Sequence, residues 1–277
     1  MPTKGAALIG FMDRDRAIRF LQESCCPVDP DPAVLETIWD NARRNIGNPT
    51  PNAGFPEVLE IPAGDAAYVT ALRSGVWQHL FAAQPSWEVK LVEIAPLLAF
   101  QLSVDVERSA HHCAHLSKPP SLGELLPIAL PLNQVAEQIS IAQQPQSIVL
   151  KSRSLNVQAQ IQGMLAPNVL GMQFGVSVPF VHVVQFNGRS YLHNGYHRAY
   201  GALLAGATHI PAIFREVQDA AAAGVRDDGN TFDLALLESP HPPTMANFSD
   251  GGSTNLPLRA MTRILHVSWA EYAIPDE

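Results

Sequence analysis

The sequence predicts an α+β protein: a helical N-terminal region, a mixed domain of strands and helices, and a C-terminal extension that returns as a strand. Three observations predict it. Apolar residues recur at helical spacing up to about Pro85. From Phe180 a β-branched and aromatic run turns back on itself at Asn187-Gly188, the commonest two-residue hairpin turn. The hairpin then leads through Asn194-Gly195 into a short helix and a further strand.

The elements follow in order. Arg16 to Glu23 is a short helix. Asp31-Pro32 supplies an N-cap and a proline at the first helical position, ahead of Val34, Leu35, Ile38, Trp39 and Ala42 at helical spacing. Asn48 to Gly54 is a loop by composition. Asp65 to Ala83 reads as one helix, with Ala67, Val69, Leu72, Val76, Leu80 and Phe81 on its apolar face. Val89, Leu91 and Glu93-Ile94 form a strand that Pro96 ends. Lys118 to Pro131 is a proline-rich connection, and Ser147 to Leu150 is a strand. Phe180 to Phe186 and Arg189 to His193 are the hairpin strands. Tyr196 to Ala205 is a helix stopped by Gly206, and Thr208 to Phe214 is a strand. After Glu216 the chain loosens, until Arg263 to Trp269 forms a last strand. The expected regions are 1–86, helical and packed on the mixed domain; 87–217, the mixed domain with a long insertion; and 218–277, the extension, packed on the same body rather than forming a separable domain.

Composition narrows the function. Of 277 residues, 47% are hydrophobic, enough for a packed core, and only 16% are charged. The 18 Lys+Arg against 26 Asp+Glu leave a net charge of −8, which argues against a surface that attracts DNA or anionic lipid as a whole. A local basic pocket remains open. The cysteines, Cys25, Cys26 and Cys113, make neither a disulfide framework nor a CxxC pair, so a reducing, cytoplasmic setting is expected. Met1 to Gly10 is only briefly apolar and is followed by Asp13, Arg14, Asp15 and Arg16, the wrong order for a signal peptide. Ser154 to Gly188 carries no Asp, Glu, Lys or Arg, yet Gln158, Gln160, Gln162, Pro167, Asn168 and Pro179 interrupt it. Those groups are costly in lipid, so no membrane partner is expected and the run reads as protein interior.

The chemistry concentrates at His193-Asn194-Gly195-Tyr196-His197-Arg198, where a strand becomes a helix. The first amides of a helix lack partners inside it, and its dipole is positive there. Arg198 offers a planar fork for phosphate or carboxylate, His197 a second donor, and Gly195 room for a ligand to approach the backbone. Together they make an anion-binding corner, Asn194 to Arg198. The alternative is that Arg198 pairs with an acidic neighbour and His197 caps the turn. Tyr196 either stacks on a base or packs on the neighbouring strand.

The run NGRSYLHNGYHRAYGALLAGATHIPAIF resembles the core of the ParB/sulfiredoxin superfamily, in which Gly-x-x-Arg opens a helix between two strands. Sulfiredoxins carry Gly-Cys-His-Arg at this point and ParB proteins Gly-Glu-Arg-Arg, and the motif holds nucleotide phosphates. The matching residues here are Gly195, His197 and Arg198, and the resemblance extends over roughly 87–217. It implies a ParB/sulfiredoxin-like mixed sheet and binding of a nucleoside di- or triphosphate with Mg²⁺. Tyr196 replaces the sulfiredoxin cysteine, so sulfinic acid reduction by that nucleophile is excluded. No ParB-like helix-turn-helix follows, which with the net charge makes DNA an unexpected partner.

A phosphotransferase needs a carboxylate as base or metal ligand. By analogy Glu93 and Asp105, flanking the opening strand, are the catalytic candidates; ordinary strand-edge charges are the alternative. Lys151 and Arg153 read as a solvated edge. The run His111, His112, Cys113, His115 has zinc-ligand chemistry, but four ligands so close in sequence do not readily face one ion, and it reads as a turn or helix face. His193 and His197 admit a metal only with a distant third ligand, beside an arginine that repels cations, so no metal site is assigned. Two functions stand: a nucleotide-binding protein acting as a small-molecule phosphotransferase or NTP hydrolase, or a non-catalytic scaffold reusing the fold, with a second copy of the chain as partner through the uncharged segment.

Overall fold

The structure is a computed structural model; it describes residues 2–26, 31–133, 139–152, 157–166, 169–176, 179–224, 231–260 and 262–272. In chain order the elements are β1 (Thr3–Ala7), α1 (Arg14–Ser24), α2 (Pro32–Arg44), β2 (Val58–Glu60), α3 (Ala66–Ser74), α4 (Gln78–Ala83), β3 (Glu88–Glu93), β4 (Leu98–Ala99) and β5 (Ser103–Asp105). Then come α5 (Val106–Cys113), α6 (Leu122–Ala129), β6 (Ile139–Gln144), β7 (Ser147–Ser152), β8 (Val157–Ala166) and β9 (Val169–Val176). The chain continues through β10 (His182–Phe186), β11 (Arg189–Asn194), α7 (Tyr196–Leu204), β12 (His209–Glu216), α8 (Ala220–Ala223), α9 (Leu234–Leu237), β13 (Thr254–Leu258) and β14 (Arg263–Ser268). The class is α+β, as the sequence predicts.

The chain divides into two compact units, Met1–Gln134 with Pro179–Arg259, and Val135–Val178 with Ala260–Glu277. The residues of the expected helical region 1–86 share the first unit with β10, β11, α7 and β12.

The first unit holds a six-stranded sheet in the order β2-β3-β12-β10-β11-β4. β10 and β11 form the expected hairpin; Asn187 at φ 50° and Gly188 at φ 73° both take the left-handed conformation that this turn demands. α7 carries the chain from β11 to β12, which lies parallel to β10, while β11 lies parallel to β4. Val183, Val184, Tyr191, Leu192, Ala212 and Ile213 are fully buried, and Tyr191 stacks on Phe100 with centroids 5.0 Å apart. A second sheet, β13-β1-β5, is antiparallel about β1. α5 leaves β5 directly and packs on α7 and β1; α6 packs on α7 and β12.

Local rules explain most helix starts. Asp13 Oδ1 accepts from Arg16 N at 2.8 Å at the start of α1, and Asp31 Oδ1 accepts from Ala33 N at 2.9 Å ahead of Pro32 in α2. Three expectations need correction. The predicted helix 65–83 is two helices, α3 and α4, because Gly75 ends the first with its amide on the Ala71 carbonyl. Trp77 then turns inward, its Nε1 donating to the Pro131 carbonyl at 2.8 Å and its ring packing on Phe180. The proline-rich connection 118–131 contains α6. Its Ser121-x-x-Glu124 capping box outweighs Pro127, which costs the helix an amide donor. And the N-terminal segment is a strand, β1, stabilised by pairing with β13 and β5 rather than by any local pattern.

In the second unit β6, β7 and β14 form an antiparallel sheet, and β8 and β9 a hairpin. The strands expected at 147–150 and 263–269 correspond to β7 and β14. Whether the uncharged run is interior falls, over 153–178, outside the described side chains; beyond it Phe180, Val181 and Phe186 are buried. Arg153 is likewise outside the description, and Lys151 is exposed. Among the described residues no helix is long and apolar enough to cross a membrane.

Candidate functional site

Helix α7 begins at Gly195, whose φ of 96° is left-handed. A Cβ there would lie 2.8 Å from Val181 Cγ2 and 2.9 Å from Val181 Cα. The glycine is thus required by its own chain, for its dihedral and for close packing on Val181; the space beside it is not free for a ligand, contrary to expectation. Asn194 folds its Oδ1 onto the Gly195 amide at 2.8 Å, and the Gly195 carbonyl accepts from the Arg198 and Ala199 amides. Gly195, as N-cap, has no side chain to offer, and no side-chain cap is present among the described residues.

Tyr196 points inward. It is 5% exposed, and its hydroxyl accepts from the Phe100 amide at 2.8 Å and from the Gln101 amide at 3.4 Å. That ties α7 to the segment between β4 and β5, and burial pushes the phenol pKa up. Of the two readings of Tyr196, packing is the observed one. Arg198 is half-buried, and its Nη1 donates to the Pro179 carbonyl and to the Ile128 carbonyl at 3.4 Å. No carboxylate pairs with it among the described residues.

Opposite this turn lies α5. Asp105 is its N-cap, with Oδ1 accepting from the Arg108 amide at 2.8 Å. Ser109 and Cys113 face α7 so closely that a Cβ on Gly201 would lie 2.7 Å from the Ser109 carbonyl oxygen and 2.5 Å from Cys113 Sγ. Cys113 Sγ also donates to the Arg198 carbonyl at 3.8 Å, and burial pushes its thiol up to about 11, unsuited to nucleophilic work. Arg108 and His112 lie on the stripe of α5 beginning at Asp105 and are half-buried, as are His197 and Arg198.

Positive charge dominates the electrostatics of this corner. Burial, then the fields of Arg198 and Arg108, lower His112 to about 4. Burial and Arg108 lower His197 to about 4, against an opposing pull from Asp105. Burial and Arg108 lower Arg198 to about 10. At neutral pH the corner therefore holds two cations and two neutral imidazoles beside one carboxylate, Asp105. Its chemistry suits an anion.

Of the residues the sequence pointed to, Asn194 to Arg198 and Asp105 meet here. Glu93 is engaged elsewhere: its Oε2 accepts from the Glu57 amide at 3.0 Å, closing the loop before β2. His111 is exposed on α5 and His115 is exposed beyond its end, while His112 is half-buried and Cys113 contacts α7, so the histidine-rich run does not face one point. His193 bonds the Ala223 carbonyl at 3.0 Å and contacts the His182 ring, whereas His197 faces α5, so the two do not converge. Among the described residues no three His, Cys, Asp or Glu are placed to hold a metal ion. Sequence reasoning missed Arg108 and named His112 only as part of the histidine-rich run, not with this corner. The clue was their spacing of three and seven residues from the helix-capping Asp105.

No protein-family model, curated protein or solved structure matches this chain.

Proposed function

We propose that the chain is a ParB/sulfiredoxin-like protein that binds the phosphates of a nucleoside di- or triphosphate at the start of α7. One observation carries the reading: a helix N-terminus with no side-chain cap lies where arginines and histidines outnumber carboxylates. The connection of β10, β11, α7 and β12, with β12 returning parallel to β10, also agrees with the resemblance. The α7 amides, His197 and Arg198 receive the phosphate. Asp105, as the carboxylate beside His197, is the group placed to accept a proton in a phosphoryl transfer. Asp105 is also the corner's one hard oxygen donor for Mg²⁺ and has an oxygen committed to the Arg108 amide, so these side chains do not make a cation cage, and no step is assigned to the ion.

The scaffold reading has its own observation. Arg198 already clamps two backbone carbonyls, so its guanidinium has a structural use with no ligand at all.

A thermal-shift series with ATP, ADP, CTP and GTP, each with and without Mg²⁺, separates the two. At hundredfold excess over Kd a bound nucleotide adds about 2.7 kcal/mol of stability. The expected result is a shift with wild type that Arg198→Lys reduces and Arg198→Ala abolishes. Equal shifts in all three proteins would remove Arg198 from the site, and no shift with any nucleotide would leave the scaffold.

A further inference from the structure

Resting on the phosphate-binding reading of α7, we propose that α5 supplies the other half of the site. Arg108 and His112 join His197 and Arg198 to grip a ligand with two linked phosphate groups, and the site takes up protons as it binds.

Packing sets the geometry. Gly201 has no Cβ, and the Ser109 and Cys113 side of α5 occupies that space. The Cys113 contact to the Arg198 carbonyl then fixes the register between the helices. Arg108 and His112 belong to the adjoining stripe, and their fields reach His197 and Arg198 in the first turn of α7. A single phosphate at that turn meets the α7 amides; a second, linked group reaches α5.

The side chains are also free to act. Among the described residues the Arg108 guanidinium has neither a hydrogen bond nor an ion pair, and the imidazoles of His112 and His197 have none. Folding has placed two guanidinium groups in each other's field without a neutralising carboxylate for each, an arrangement that opposes folding unless an anion joins it.

The facing groups decide the proton count. His112 faces Arg198 on α7 and Arg108 and His111 on α5. His197 faces Arg108, Asp105 and His112 on the α5 side and Arg198 on its own helix. α6, packed on α7, presents the Ile128 carbonyl to Arg198 and no charge to either ring. An incoming polyanion reverses this positive field, so both imidazoles become easier to protonate. Binding then draws in protons, and affinity rises as pH falls below neutral.

The test is titration calorimetry of the full chain with inorganic pyrophosphate and, separately, orthophosphate, just below neutral pH, in two buffers of different ionisation enthalpy. Wild type is expected to bind pyrophosphate with a buffer-dependent heat that reports net proton uptake. Arg108→Gln should weaken pyrophosphate about tenfold, the scale of one lost charge-assisted contact, and orthophosphate less. Arg108→Lys should recover part of the loss. His112→Asn should reduce the proton uptake. Unliganded melting of each variant checks its folding, and Arg108→Gln should melt no lower than wild type because the arginine makes no bond to lose. Pyrophosphate binding that is equal in Arg108→Gln, or free of buffer dependence, would overturn the α5 assignment. The α7 reading would survive that result if Arg198→Lys still weakened binding. Failure of wild type to bind pyrophosphate or any nucleotide would overturn both.

Discussion

Helices α6 and α7 pack against each other and begin in opposite ways. α6 closes its own start: Ser121 Oγ accepts from the Glu124 amide at 3.4 Å, and Glu124 Oε2 accepts from the Ser121 amide at 2.7 Å and the Ser117 hydroxyl at 2.8 Å. The Ser121 and Ser117 donors hold the Glu124 carboxyl down at about 2. α7 starts on a left-handed glycine without a side-chain cap, among arginines and neutral imidazoles. Every helix start needs acceptors for its first amides. α6 carries its carboxylate within the chain, whereas among the described residues no side chain takes that place at α7. On the proposed reading, that place belongs to the phosphate.

Acid should sharpen this comparison most. His112, His182 and His197 have folded values of about 4, 3 and 4, below the ordinary 6.5. The unfolded chain therefore binds protons that the folded chain refuses, and stability is lost as pH falls from about 6.5 through 4 and on to about 3. Glu124 is also depressed in the folded state, so its contribution is present above the ordinary 4.5 and is lost as pH falls toward 2. Urea titrations across pH should show both windows, with a bound polyanion protecting only the upper one. Coincident loss in a single low-pH step would break the distinction.

Gly195→Ala comes next. Its Cβ strains a positive φ and meets Val181, so a loss of about 2–4 kcal/mol is expected by denaturant unfolding. Gly206→Ala is the control: its φ is +91°, but its Cβ would lie 3.8 Å from Pro119, and about 1 kcal/mol covers the backbone strain alone. Ser121→Ala should cost about 1 kcal/mol by opening the capping box, without changing any nucleotide response at α7. Arg108→Gln should leave unliganded stability unchanged or raise it by under about 0.5 kcal/mol. A large loss there would give Arg108 a structural role and dissolve the contrast between the two helix starts.

Much of the first unit was legible in the sequence because its signals are local. Asp31-Pro32, Asn187-Gly188 and Gly206 each set a backbone conformation within a few residues, and α2, the β10–β11 hairpin and the end of α7 sit where those residues put them. β1 was not legible, since Thr3 to Ala7 has no β signal of its own and is ordered by partners at 103–105 and 254–258. Prolines at 119, 120, 127 and 131 masked α6, although Ser121 and Glu124 announced it.

The site divides the same way. Gly195, His197 and Arg198 are consecutive enough that the strand-to-helix turn alone brings them together, and the sequence by itself determined that grouping. Arg108 and His112 lie on another helix, carried by another sheet, some 85 residues earlier. Only the tertiary structure brought them to α7, through the missing Cβ of Gly201 and the contact of Cys113 with the Arg198 carbonyl. The tertiary structure likewise parted Glu93 from Asp105, because hydrogen bonding to Glu57 holds one and the cap of α5 holds the other. Local geometry follows from residues a few positions apart, whereas charge meeting charge across the chain depends on which surfaces the core forces into contact.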